Sequence, residues 1–477
     1  MDNQAELGWL KRIDKVHEPG YMNWITAAWA MMFVKQEILP AEDAHEVGRV
    51  VLGMWEKPVT PDEAGPHTFG VNRHFIETLG EETGGKVMMA RTQPSMRQML
   101  EVRHQLMKQM CRIYDLQEAT LDLAEQHADT IMPGYTHFRH AQPTTFGHYL
   151  LSASDAIGRS TATLESGYHL MSLNEMGCGA LAGTSWPIDR DLVSRYLGME
   201  GLIENANDAV CYTDGYLIVV AGLVNVTNIA SRVALDFSYW SGVEYGFLEI
   251  GGRRGTSFMM PQKDGNPNSM ELVRTYAGKM IGHLSGIAVA GLRAPHGDVF
   301  EMLHVAEPTL AALEASEKCT SELTSEMREM GVYKDRMVAV IRESYICATE
   351  LANQIVRDYG LGYRTAHDII HRFVVASRKE KIPATEARAE LLDAAAEEVL
   401  GRKLGIAEAR LRELLDTDHF IRVTNSRGGI APDEVARMIA DRRQQLADAR
   451  ARHMARIESL ENAQEQMLSD LRELSKA

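Results

Sequence analysis

A chain of 477 residues, 45 % hydrophobic and 24 % charged, has the make-up of a globular protein of two or three domains. Its formal net charge of −16 excludes recruitment to nucleic acid or to an anionic membrane by bulk electrostatics, so an anionic substrate would need a local cluster of Arg and Lys. The five cysteines, Cys111, Cys178, Cys211, Cys319 and Cys347, are widely spaced and form no CxxC, which argues against a disulfide framework and a zinc site alike.

The first residues, MDNQAELGWLKRIDKV, lack the apolar core of a signal peptide, and a cytosolic protein is expected. Strand alternation is brief wherever it occurs. Most of the chain carries apolar residues at three- and four-residue spacing, and 26 methionines suit close helix–helix packing, so an all-α protein is predicted. EKPVTPDEAGPHTFG reads as a Pro/Gly loop between helices. GKVMMARTQPSM then groups Arg91, Thr92, Gln93 and Ser95 beside Pro94, and by itself reads as a loop. MPGYTHFRHAQPTTFGH, residues 132–148, sets Thr136, His137, Arg139, His140 and Gln142 after a Pro-Gly turn, at the entrance to a helix. His137 and His140 stand three residues apart without a carboxylate or cysteine beside them, so no metal is predicted there.

Long helical periodicities follow at 144–175, 207–247, 269–293 and 305–329, lengths that suit a side-by-side bundle. The most apolar run, GYLIVVAGLVNV, is too short to span a bilayer. GALAGTSWPIDR and YRTAHD are explained by packing or capping as well as by function. GTSFMMPQKDGNPNSMELVR, residues 255–274, differs: Ser257 sits in a Gly-rich stretch, with Lys263 six residues on and a helix starting near Ser269. A serine becomes a useful base only where backbone N–H groups or a cation stabilise its alkoxide, and a helix N-terminus with a lysine offers both. Towards the end, NSRGGIAPDEV reads as a turn and a helix capped near Asp433. The charged tail from Asp433 carries an apolar stripe at helical spacing, that of a surface helix or of one lying on a neighbouring subunit.

Taken together, these stretches resemble the argininosuccinate lyase branch of the aspartase/fumarase superfamily. TSFMMPQK and the following NPNSMEL are similar to the superfamily's G-S-S-x-M-P-x-K-x-N-P loop, with Ser257 at the first serine. MPGYTHFRHAQPTTFGH, GALAGTSWPIDR, WSGVEYGF, YRTAHD and RGGIAP match further segments in the branch's order, from about Met22 onwards. The resemblance implies three mostly helical domains, here 1–112, 113–355 and 356–477, the middle one an elongated bundle. It implies a homotetramer with a twenty-helix core, whose active sites are shared between subunits, acting on a small dicarboxylate without a cofactor. The implied reaction is an anti elimination that cleaves a C–N bond and releases fumarate. Ser257 would be the base, Lys263 and Asn266 would hold the carboxylate that becomes a dianion, and Thr136 would bind a carboxylate. His137, oriented by Glu271, would help protonate the leaving nitrogen, and Arg91, Thr92 and Gln142 would line the substrate site.

The chain also departs from the branch. Where the branch reads H-T-G-R-S-R-N-D-Q, this sequence has residues 88–96, with Gln93-Pro94 in place of Arg-Asn; Pro94 offers neither a side-chain hydrogen bond nor an N–H. Where it reads A-Y-N-R-D-L-Q-E-D-K, Pro295, Phe300 and Leu303 replace Tyr, Gln and Lys. S-x-A-H-A is answered by Thr26, Ala27, Ala28, Trp29 and Ala30, and the loop after Lys263 has one extra residue. The expectation is an N-substituted aspartate or related succinate with a smaller or more apolar leaving part. The alternatives are argininosuccinate itself, loss of another group such as nitrite or water, and a non-catalytic structural homologue.

Overall fold

A computed structural model describes residues 3–475 except 60–66, 92–94, 252–258, 261–264, 293–294, 298–301 and 343. Four helices open the chain: α1 (Asn3–His17), α2 (Tyr21–Lys35), α3 (Ala41–Glu56) and α4 (His67–Lys86). From Met22 to Phe33, α2 is buried on every side, as a helix apolar all round must be. Then comes α5 (Met96–Gln126), and after it a hairpin of β1 (Ile131–Thr136) and β2 (Arg139–Thr145) leads into α6 (Phe146–Met171). The Thr145 hydroxyl caps α6, accepting the His148 N–H at 3.1 Å.

Beyond α6, β3 (Leu173–Asn174) pairs in parallel with β4 (Gly201–Leu202) across α7 (Arg190–Tyr196). A short α8 (Ala206–Val210) precedes three long helices, α9 (Asp214–Trp240), α10 (Asn268–Leu292) and α11 (Ala306–Glu329). Helices α5, α6, α9, α10 and α11 pack on one another as a five-helix bundle. The apolar run of 215–226 belongs to α9, which reaches membrane-spanning length and apolarity but lies against α6, α10 and α11. An antiparallel pair, β5 (Leu248–Glu249) with β6 (Gly331–Val332), ties the exit of α9 to the end of α11.

After α12 (Lys334–Arg342), a second apolar core forms within residues 345–415, from α13 (Ala348–Tyr359), α14 (Tyr363–Lys379), α15 (Ala389–Leu400) and α16 (Glu408–Leu414). Gly360 and Gly401, at φ 64° and 70°, end α13 and α15 in the left-handed conformation. A short α17 (Thr417–Val423) leads to α18 (Pro432–Leu474), 43 residues that return along α5, α6 and the N-terminal helices. Its buried stripe includes Val435, Leu446, Ile457, Leu460, Met467 and Leu471. The tail thus covers its own chain. Its first residue is Pro432, and Ala431 in the cap position makes no side-chain cap, so Asp433 lies in the first turn and is not the cap.

Candidate active site

The stretch 132–148 is a β-hairpin and not a Pro-Gly turn at a helix entrance. Pro133 and Gly134 lie within β1, where the register shifts at a bulge, and the chain reverses at His137-Phe138, with φ 52° and 56°. A Cβ on Gly134 would sit 2.5 Å from the Gln142 carbonyl, so glycine lets the two strands close. Thr136 and His137 therefore stand exposed at the hairpin tip, beside Phe138. Gln142 is set back from the tip and donates to the Thr349 hydroxyl at 3.2 Å, pinning the hairpin to α13.

One face of the tip borders a cavity of about 210 Å³ lined by Tyr135, His137, Phe138, Asp236, Tyr239, Trp240 and Tyr245. Asp236, at the C-terminal end of α9, accepts the Tyr149 hydroxyl at 2.7 Å, and burial raises its pKa. Nothing in its sequence context marked this carboxyl. The three-dimensional approach of α9 to the hairpin is what brings it to the cavity that His137 lines.

Asn266 lies two residues before α10, and the Pro267 carbonyl starts the helix by accepting the N–H groups of Met270 (3.0 Å) and Glu271 (3.1 Å). Glu271 is exposed in the first turn. Among the described residues no hydrogen bond or ion pair joins Glu271 to His137 within one chain. Ser257, Lys263 and Thr92, with Gln93, Pro94 and Phe300, lie outside the described residues.

Arg91 follows a turn in which Ala90 has φ 51° and the Arg91 N–H reaches the Met88 carbonyl at 3.3 Å. Its guanidinium contacts the Met88 sulfur at 3.3 Å, and loss of hydration lowers its pKa to about 9, which leaves it a cation at neutral pH. The same turn is held by Trp29, fully buried in α2, whose indole N–H donates to the Met89 carbonyl at 3.2 Å. Leu303 also acts through its backbone, its carbonyl accepting the Gln98 amide at 3.0 Å.

The Lyase family model matches residues 12–282, and the argininosuccinate lyase C-terminal model matches residues 345–422, which coincide closely with the second core. An argininosuccinate lyase of Methanothrix thermoacetophila is 32 % identical over 452 residues, covering 90 % of this chain and 88 % of the relative. Argininosuccinate lyase 1 of Shouchella clausii is 29 % identical over 453 residues, covering 91 % and 89 %. Among solved structures, an EDDS lyase variant with bound fumarate superposes with a TM-score of 0.85 at 26 % identity, over 98 % of this chain and 93 % of that one. Fold and relatives together define a helical-bundle lyase. The chain belongs to the argininosuccinate lyase branch of the aspartase/fumarase superfamily and is a carbon–nitrogen lyase of that type.

Proposed function

We propose that the enzyme cleaves the C–N bond of an N-substituted aspartate, or a related substituted succinate, by anti elimination, with fumarate and an amine as products. Ser257 removes the proton from the carbon beside a carboxylate, and the electron pair left behind spreads into that carboxylate as a dianion. Lys263 and Asn266 stabilise this charge, which exists only after deprotonation and is therefore where binding energy accelerates the reaction. The C–N bond then breaks, the electron pair leaves with nitrogen, and His137, directly or through water, returns a proton to it. Thr136 holds the second carboxylate, and Glu271 of another protomer orients His137.

The exposed positions of Thr136, His137 and Glu271 support this reading, because groups that serve a shared site must face outward from their own chain. The relative with bound fumarate supports the product. The observation that carries the changed leaving group is Trp29. It stands where the branch has histidine, and its one polar group is spent on the Met89 carbonyl, so it presents no hydrogen bond to an arginine-like leaving group. The named relatives favour a second reading, argininosuccinate itself as substrate.

One assay separates the two. Purified enzyme is given argininosuccinate and, separately, fumarate with a panel of amines, while ultraviolet absorbance and mass follow fumarate and its adducts. Adducts with small or apolar amines and no turnover of argininosuccinate are expected. Ser257→Ala should lower any such rate by at least about a hundredfold, the scale of lost general-base catalysis. Full activity in that variant would remove Ser257 from the role of base.

A further inference from the structure

We infer that Glu326 is a positioning residue that staples together the two stems of the segment carrying Ser257 and Lys263. This rests on the function proposed above. Glu326 lies near the C-terminal end of α11 and is fully buried. One carboxyl oxygen, Oε1, accepts the Gly251 N–H at 2.9 Å, and the other, Oε2, accepts the Ser269 hydroxyl at 3.2 Å. Gly251 is the last described residue before 252–258, and Ser269 is the second residue of α10, so a single side chain bridges the way into and out of the segment.

The surroundings make this bridge directional. On the entry side, the β5–β6 pairing of Leu248 with Val332 and Glu249 with Gly331 lays the chain along the end of α11. A Cβ on Gly251 would lie 2.0 Å from the Glu329 carbonyl oxygen, so the backbone is pressed onto α11 at the point where Glu326 takes its N–H. On the exit side, Ser269 is fully buried beneath the start of α10, next to Asn266 and Glu271. A buried carboxyl is costly unless its oxygens are matched, and here both are matched by groups from the two stems. Glu326 therefore fixes the distance between Gly251 and Ser269. Through that distance it sets the placement of Asn266, where about 1 Å matters roughly a hundredfold.

The test compares full-length Glu326→Gln, Glu326→Leu and Ser269→Ala with wild type, using hydrogen–deuterium exchange by mass spectrometry and calorimetric titration with fumarate alone. Glutamine keeps an acceptor for Gly251 and a group that can bond Ser269, so Glu326→Gln should match wild type in both readouts. Loss of the staple in Glu326→Leu should speed exchange in peptides spanning 252–268 by roughly tenfold and weaken fumarate binding by a similar factor, with α9 and the rest of α11 unchanged. Ser269→Ala, which removes one stem only, should show a smaller shift at the same peptides, and it decides the matter if the leucine variant does not fold. Unchanged exchange in Ser269→Ala, faster exchange spread evenly through the bundle, or failure of glutamine to rescue would each overturn the inference. If wild type itself does not bind fumarate, the proposed function fails, and the exchange data still decide the staple.

Discussion

Glu175 is a carboxyl enclosed by protein, accepting both the backbone N–H (2.6 Å) and the hydroxyl (2.9 Å) of Ser95 at the start of α5, directly after the 91–94 stretch. Burial pushes its pKa up to about 7, against the two Ser95 hydrogen bonds that pull it down. The folded protein therefore holds a proton that the unfolded chain releases near the ordinary glutamate value, and stability falls as pH rises from about 4.5 to about 7. Glu175→Gln should be close to wild type at pH 4 and more stable by on the order of 3 kcal/mol at pH 8. Thermal melts across that range check it, and a constant difference between the two proteins would exclude a buried, titrating Glu175. At this scale, Thr136, His137 and Glu271 could be named as candidates from sequence because their residue types fall in motifs. Glu175, Asp236 and Glu326 were not, since an isolated carboxyl reads as solvated surface until the fold encloses it. The hairpin turn was hidden for a related reason: His137 and Phe138 take positive φ without the Gly, Asn or Asp that usually announces it.

Helices whose apolar residues form one stripe were legible. Segments 144–175, 207–247 and 305–329 contain α6, α9 and α11, and 269–293 takes in all of α10 but its first residue. By contrast α5 is the longest bundle helix and was not singled out, because buried Arg103, Gln109, Asp115, Gln117 and Thr120 interrupt its apolar pattern. A cut between residues 112 and 113 passes through the middle of this helix. Burial of α18 escaped notice because its stripe is flanked by charges that bond inward. Arg442 grips Asp155 through two nitrogens (2.7 and 2.9 Å), Arg450 grips Glu118 likewise, and Arg456 pairs with Glu165 while lying 4.3 Å from the centre of the Tyr168 ring. Ile457→Ala, on the stripe directly after Arg456, should cost roughly 2–4 kcal/mol by opening a cavity. The check is a lower melting temperature with unchanged fumarate affinity; a melting temperature within error of wild type would show that α18 is only loosely attached. Buried His453, one turn before Ile457, has its pKa lowered to about 4, mainly by burial and then by Arg456. Its stabilising share is complete above about pH 6.5 and drains away as pH falls toward 4, so an acid pulse should loosen α18.

Taken as a whole, the molecule leaves large apolar side chains uncovered along two adjoining bundle helices: Leu235 and Tyr239 on α9, and Ile281, Val289 and Leu292 on α10. Such a face suits burial against further copies of the bundle. If each site joins His137 of one protomer with Ser257 of another, inactive Ser257→Ala and His137→Ala proteins should regain activity when unfolded and refolded together. Some sites in the mixed assemblies would then hold both wild-type residues, whereas either variant refolded alone stays silent. A mixture as inactive as its parents would place each site within one chain.

The return of α18 sets a timetable for making the protein. Arg12 is held by Glu461, 449 residues later, His45 reaches the Leu474 carbonyl, and Gly48 is overlain by the Leu474 side chain. At ordinary ribosomal speeds the first three helices wait on the order of tens of seconds for the segment that covers them. Throughout that interval the nascent N-terminus shows chaperones and proteases an unfinished surface. A stop codon between Pro432 and Glu461 would yield a polypeptide with every motif of its chemistry and without the segment that covers its beginning.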